Sequence, residues 1–290
     1  MNTNPTTISH TLINIVSYTI FTLLAAMLTS PPPVVLVYAP LDPTGAMYLP
    51  ADAMTCAALG CHALSIVTAT HIQDSTHTEQ ITLSSPRLMH DQMRCVLEDI
   101  SVQCIKSGPI YSIDGASVLA QIAADYAHLP LVLHLQSIPD DSILTNDADV
   151  DEITDAILEL VLPQTTVVVA DQTLLTQWQA DGLLAEKQNP IHHLLDYGAE
   201  WVFCSLPGTQ QSVVLHQLYN QDGLQQQWSS SAQPDRIQDT EGLLSTAISA
   251  YLASGYSVLA ACAAAISHTD KAASRAFQAG MGAKIINQSY

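Results

Sequence analysis

The chain has 290 residues, and 48% of them are hydrophobic, enough for a sizeable core and too many for a mainly disordered protein. Eight basic residues stand against 27 acidic ones, giving a net charge of −19. Such a field repels phosphate backbones and anionic membrane surfaces, so nucleic acid is excluded as an expected partner, and composition also excludes collagen, coiled-coil and disulfide-scaffold classes.

Residues 11–28 (Thr11 to Leu28) form a mostly apolar run, close to the ~20 residues of a membrane span, which Thr29-Ser30-Pro31-Pro32-Pro33 stops. No Lys or Arg precedes Arg87, so the run lacks the basic flank of a signal peptide and gives the positive-inside rule nothing to act on. Residues 1–33 are therefore an N-terminal extension with three readings: a membrane anchor, an extra helix packed on the domain, or upstream sequence from a mis-assigned start.

Residues 34–290 are expected as one domain. Val34 to Tyr38 lacks polar alternation and predicts a buried parallel strand. A helix follows over 49–59, ending at Gly60, then a strand over 63–70. Apolar residues at 88, 89, 93, 96, 97 and 100 predict a helix over 86–100. A strand stub over 102–105, a helix over 117–128 and a strand over 131–135 come next. The spacing predicts a long helix over 147–162, whose acidic start favours the helix dipole. A strand over 165–170, a helix over 191–197 and a strand over 201–204 follow. Gln217 to Arg236 is polar and should hold a surface hairpin and loop. Two Ala-rich helices, over 242–254 and 257–278, close the chain. Strand–helix alternation predicts a parallel sheet with helices on both faces. Ligands of open sheets bind beyond the carboxyl ends of the strands. The loops after 38, 70, 105, 135, 170 and 204, and the turn entering the helix at 242, should thus line one cleft.

The six cysteines form no Cys-x-x-Cys, and most have apolar neighbours, as buried thiols of a reducing compartment do. Neither Gly-x-Ser-x-Gly nor a Walker-type phosphate loop is present. His192 and His193 are adjacent and point apart on a helix, and His71 and His77 lack metal-ligand spacing.

The loop segments are Asp42-Pro-Thr-Gly45, Ala51-Asp52 with Thr55 and Ala58-Leu-Gly60, Ile72-Gln73-Asp74-Ser75, and Cys104-Ile-Lys-Ser-Gly108. In this order and spacing the chain, from about Val34 to its end, resembles the hydroxymethylpyrimidine/phosphomethylpyrimidine kinase family of thiamine synthesis, within the ribokinase-like superfamily. The resemblance implies an α/β fold, a ribokinase-like three-layer αβα sandwich with a mostly parallel central sheet. It implies a small-molecule pyrimidine as substrate, ATP and Mg²⁺ as cofactors, and a homodimer. The buried thiols suit a cytoplasmic location, with tethering through the apolar run 11–28 as the alternative. Substrate contacts fall on Asp52, Gln73 and Asp42. Nucleotide contacts fall on Lys106, Ser205 and Thr240, and a metal contact on Asp171. For Asp42 a plain turn role is the competing reading, since Asp-Pro-Thr-Gly makes a good turn by itself.

The sequence departs from that family where phosphate is handled. Phosphoryl transfer needs a base, a metal and donors for developing charge. The family's Gly-Thr-Gly-Cys turn, with its cysteine base, reads Asp239-Thr240-Glu241-Gly242. Position 242 has no side chain, and Asp239 or Glu241 are the possible substitutes. Thr-Pro-Asn-x-x-Glu reads Ala170-Asp171 onward, with Leu174 in place of the Glu. Lys-Gly-Gly reads Ser205-Leu206-Pro207, Asp-Pro reads His134-Leu135, and Gly-Gly-Ala-Gly reads Gly45-Ala46-Met47-Tyr48. The expectation is an ATP-dependent kinase with impaired or lost catalysis; the alternative is a non-catalytic pyrimidine-binding or regulatory pseudokinase.

Overall fold

A computed structural model describes residues 31–139, 142–144, 149–208, 213–231 and 236–288. The chain divides into two units, Met1–Pro32 and Pro33–Tyr290. The apolar segment 11–28 lies outside the described residues, among which no helix is long and apolar enough to cross a membrane.

Among the described residues nine strands form one sheet. They are β1 (Val34–Leu41), β2 (His62–Gln73), β3 (Thr78–Leu83), β4 (Cys104–Ser107), β5 (Leu131–His134), β6 (Val167–Asp171), β7 (Trp201–Pro207), β8 (Val213–Asn220) and β9 (Gly223–Ser231). Their order across the sheet is β3-β2-β1-β4-β5-β6-β7-β8-β9. The six strands from β2 to β7 run parallel, while β3 at one edge and β8–β9 at the other are antiparallel.

Among the described residues eight helices cover the sheet: α1 (Tyr48–Ala58), α2 (Pro86–Asp99), α3 (Ile113–Asp125), α4 (Val150–Ala156), α5 (Gln172–Ala180), α6 (Pro190–Asp196), α7 (Thr240–Ala253) and α8 (Val258–Ala273). Alternate residues of the central strands point to opposite faces. Leu36, Tyr38, Leu131 and Leu133 join α2 to α6 in one core, whereas Val35, Val37, Val132 and Phe203 join α1, α7 and α8 in the other. This is the expected αβα sandwich.

Several elements differ from the periodicity. The chain from 78 to 83 is an edge strand missed because Ile81 alone of its side chains is buried. The polar start of α5 hid a helix whose first turn Asp171 caps through Leu174 N at 2.8 Å. The helix at 113 begins four residues early because Ser112 caps Gly115 N. The long helix expected over 147–162 is α4 followed by a π turn (Ile157–Val161) and a 3₁₀ turn (Leu162–Gln164). Pro163, without an N–H, cannot continue an α-helical ladder. The final helix stops at Ala273 rather than 278. The polar hairpin is real but starts at Val213. All six cysteines are free, and only Cys95 is exposed.

Candidate functional site

The floor of the site follows from sheet parity. Lys106 pairs with Val37 and Val132, so its side chain shares their face, the one covered by α1 and α7. There it is fully buried, and its Nζ donates to Asp52 Oδ2 of α1 at 2.8 Å. Asp52 Oδ1 accepts from Thr246 Oγ1 of α7. One ion pair with a hydroxyl thus ties β4, α1 and α7 together. A buried charge is tolerable only when paired and hydrogen-bonded in this way.

Above this floor lies a cleft of ≈ 610 Å³ at the carboxyl ends of β2, β5 and β6. Its wall includes Tyr48, His71, Tyr111, His134, Gln136 and Asp239. The Tyr48 and His71 rings meet edge-on with centroids 5.2 Å apart, and the His71 and Tyr111 rings lie 5.8 Å apart. Tyr111 donates through its hydroxyl to Tyr48 at 3.3 Å. Tyr48 donates to Gln136 Oε1 at 3.0 Å, and Gln136 Nε2 donates to Asp239 Oδ1 at 3.0 Å. Two imidazole nitrogens, His71 Nε2 and His134 Nδ1, are buried without a hydrogen-bond partner. Burial lowers the pKa of both rings, and Lys106 lowers that of His134 further. Neutral imidazoles can each offer a donor or an acceptor to a bound molecule.

Among the described residues, Tyr48 (φ 53°) and Asp239 (φ 51°) are the non-glycine residues with left-handed backbones. Such a conformation costs a side-chain-bearing residue about 1–2 kcal/mol. Both stand where the resembling family has glycine, so the backbone keeps a glycine shape while carrying large side chains. Those two side chains are the ones that Gln136 links.

Asp239 caps α7 through Gly242 N at 3.1 Å. Its carboxylate also lies against Gly242: a Cβ there would fall 2.1 Å from Asp239 Oδ2. A side chain at 242 and this placement of Asp239 therefore exclude each other. Burial pushes Asp239 up to about 6, with Lys106 pulling it down and Asp52 pushing it up. Burial, then Asp171 and Asp239, push Glu241 up to about 7. Asp171, Asp239 and Glu241 all face the cleft, whose wall contains no lysine or arginine.

The remaining expected residues fall elsewhere. Asp42 is buried and closes its own turn, accepting from Thr44 N, Ala46 N and Met47 N at 2.8, 3.1 and 2.9 Å. Gln73 lies 2.8 Å from His71 Nδ1 and accepts from Thr78 Oγ1, fixing His71 from behind; it faces an adjoining cavity rather than the cleft. Ser205 is buried, with Oγ 3.1 Å from His216 Nδ1. Burial pushes His216 down to about 4, so this pair is neutral. Thr240 lines a cavity of ≈ 220 Å³ beside α7 and α8. Sequence reasoning missed Tyr48, Tyr111 and Gln136. The one available signal was a polar Gln two residues past the end of a buried strand.

The small cavity is where Thr240 and the Ser205–His216 pair would meet a nucleotide. Its wall holds the carboxylates of Glu241 and Asp270 and no cation. Among the described residues no three His, Cys, Asp or Glu side chains are grouped to hold a metal. Lys106 is locked below by Asp52. A triphosphate with Mg²⁺ does not fit this donor set, because nothing here neutralises its charge.

Residues 42–287 match the family model of phosphomethylpyrimidine kinase. The hydroxymethylpyrimidine/phosphomethylpyrimidine kinase of Streptomyces coelicolor is 26% identical over 262 residues, covering 87% of this chain and 92% of that one. The structure of the pyridoxal kinase from Staphylococcus aureus in complex with pyridoxal superposes with a TM-score of 0.75 at 18% identity, covering 89% and 94% of the two chains. That of phosphomethylpyrimidine kinase from Clostridium difficile 630 gives 0.65 at 18% identity, covering 83% and 99%. At these identities the two structures speak for the fold.

Proposed function

The chain belongs to the phosphomethylpyrimidine kinase family, and from that premise we propose that it binds a hydroxymethyl-substituted pyrimidine in the cleft but transfers phosphoryl groups from ATP far less well than its relatives do. The observation that supports this reading is the composition of the cleft wall: two imidazoles with unpartnered nitrogens, three carboxylates, and no lysine or arginine. The orphan nitrogens suit the ring of an aminopyrimidine, whose edge carries both donors and acceptors. The carboxylates oppose the charge that phosphoryl transfer would bring to the same place.

Asp239 is the group in this chain that stands over position 242. Ionised above about pH 6, its free Oδ2 suits accepting the proton of a substrate hydroxymethyl group. Asp52 acts from below, holding Lys106 and α7 in place rather than touching substrate. A homodimer and a cytoplasmic location complete the proposal, to be read by sedimentation and by cell fractionation.

The test is ATP-dependent phosphorylation of the pyrimidine by purified full-length chain, alongside Asp239→Asn. The reading expects slow turnover that Asp239→Asn reduces at least a hundredfold. Turnover as fast as that of the Streptomyces coelicolor relative would overturn the impairment, and unchanged turnover in Asp239→Asn would remove the role given to that carboxylate.

A further inference from the structure

The cavity of ≈ 220 Å³ between α7, α8 and the β8–β9 hairpin has a wall of two kinds. Val214, Leu244 and Ile266 belong to its apolar part. Its polar part includes Glu241 at the start of α7, Thr269 and Asp270 on α8, and His216 and Ser230 on the hairpin. Thr240 and Ser231 add hydroxyls, which can donate or accept.

The strong donors around this wall are spent within the protein. Ser230 bonds the Asp270 carboxylate, and its Oγ lies 3.0 Å from His216 Nε2, while His216 Nδ1 lies 3.1 Å from Ser205 Oγ. Burial pushes His216 down to about 4, so one of its nitrogens carries a proton and the other a lone pair. An ionised carboxylate can only accept. Ser230 therefore donates to Asp270 and accepts from His216 Nε2, which leaves Nδ1 to accept from Ser205. The start of α7 is spent in the same way. Gly242 N donates to Asp239 Oδ1, and the Glu241 amide donates to its own carboxylate. Free amides at a helix N-terminus would draw an anion, but these two are closed by carboxylates.

Acceptors remain. No lysine or arginine lines the cavity. Burial raises the carboxyls of both Glu241 and Asp270, and for Glu241 the neighbouring Asp171 and Asp239 add to the rise. Thr269 gives an independent sign. It is 4% exposed, and its Oγ1 has no hydrogen-bond partner. Thr55, Thr154 and Thr176, also on helices, each turn the hydroxyl back to a carbonyl four residues earlier, at 2.8 Å. Thr269 does not, and a buried hydroxyl without a partner is costly unless a bound molecule meets it.

We propose that this cavity binds a small organic cation: a primary ammonium held by Glu241, Asp270 and the Thr269 hydroxyl, on a short apolar chain that packs against Val214, Leu244 and Ile266. An ammonium brings three donors and no acceptor, which matches two carboxylates and a hydroxyl. The wall that turns away a triphosphate thus favours the opposite charge. The volume has room for about seven heavy atoms at the ~30 Å³ that a water occupies in the liquid. A bare metal ion matches less well, since among the described residues no three His, Cys, Asp or Glu side chains are grouped to hold one. The proposal does not rest on the pyrimidine reading of the cleft, whose wall shares Glu241 alone with this cavity.

The test is calorimetric titration of the full chain at about pH 8, where Glu241 is ionised. The probes are 3-methylbutan-1-amine, its uncharged isostere 3-methylbutan-1-ol, and potassium chloride as competitor at the amine's own concentration. The proteins are wild type, Asp270→Asn, which keeps an acceptor for Ser230, and Thr269→Val, each checked for cooperative unfolding. The amine should bind saturably, at least about tenfold more tightly than the alcohol, and potassium should not displace it. Its affinity should fall about tenfold in Asp270→Asn and about fivefold in Thr269→Val. Both residues line this cavity and not the cleft, so these losses place the amine here. Equal affinity for amine and alcohol overturns the proposal, as does displacement by potassium, unchanged amine affinity in either variant, or no amine binding at all.

Discussion

Two cavities border the N-terminal turn of α7, and their walls differ in kind. On the cleft side, rings, amides and imidazoles form a connected wall around ≈ 610 Å³. On the other side, between α7, α8 and the β8–β9 hairpin, ≈ 220 Å³ is bounded by His216, Ser230, Glu241 and Asp270. The first has imidazole nitrogens without a partner; in the second, His216 is bonded on its two sides to Ser205 and Ser230. On the proposed reading, the cleft keeps groups that can recognise a ligand while the cavity beside α8 offers no cation to a phosphate. Within the cleft wall itself, Tyr48 and Asp239 put side chains on left-handed backbone.

Five variants sharpen that contrast. Lys106→Met should have the largest effect, because it strands the Asp52 carboxylate in the core; a loss of about 3–5 kcal/mol in denaturant unfolding is expected. Stability within 1 kcal/mol of wild type would show that the ion pair does not hold the floor. Gly242→Cys restores the side chain that the family carries, yet its Cβ would collide with the Asp239 carboxylate. It should cost about 1–3 kcal/mol, typical of forcing atoms into a packed site. The double variant Asp239→Gly/Gly242→Cys removes both the collision and the left-handed aspartate. It should recover most of that stability, so a thermodynamic cycle should show coupling rather than additivity.

Glu241→Gln tests the electrostatics. The Glu241 carboxyl is pushed up from its ordinary 4.5 to about 7, so the folded chain favours its neutral form. Its contribution to stability is fully present below about pH 4.5 and is lost as pH rises through about 7. The glutamine variant should therefore match wild type near pH 4 and exceed it by on the order of 1–2 kcal/mol at pH 8. Parallel curves at the two pH values would contradict this assignment. Gln136→Leu should have the smallest effect on stability, about 1 kcal/mol, as it removes two hydrogen bonds at a half-buried position. It should weaken pyrimidine binding more than it weakens the fold, which titration and unfolding separate.

The fold was largely legible in the sequence because its signals were strong. Buried runs such as Val34 to Tyr38 and Val167 to Ala170 can be little else than parallel strands, and β-branched runs alternating with helical spacing dictate the layers. What escaped was governed by caps and edges: the edge strand at Thr78–Leu83 and the polar α5, whose start Asp171 fixes by a single side-chain bond. The loss of glycines at 48, 239 and 241 and of the cysteine at 242 was also legible. That the backbone keeps φ near +50° at Tyr48 and Asp239 was not, since a conformation imposed by tertiary contacts leaves no local sequence signal. Nor could spacing show that Lys106 would be captured by Asp52, fifty-four residues away in the chain. The Gln136 link was equally hidden, because it joins three loops that only the sheet order brings together.

The most direct test of the account is a thermal-shift series on purified full-length chain with the hydroxymethylpyrimidine and with ATP–Mg²⁺, each alone. A ligand that binds only the folded state must raise the melting temperature in proportion to its affinity and concentration. The account predicts a saturable rise with the pyrimidine and none with millimolar ATP–Mg²⁺. A rise with ATP–Mg²⁺ and none with the pyrimidine would contradict it.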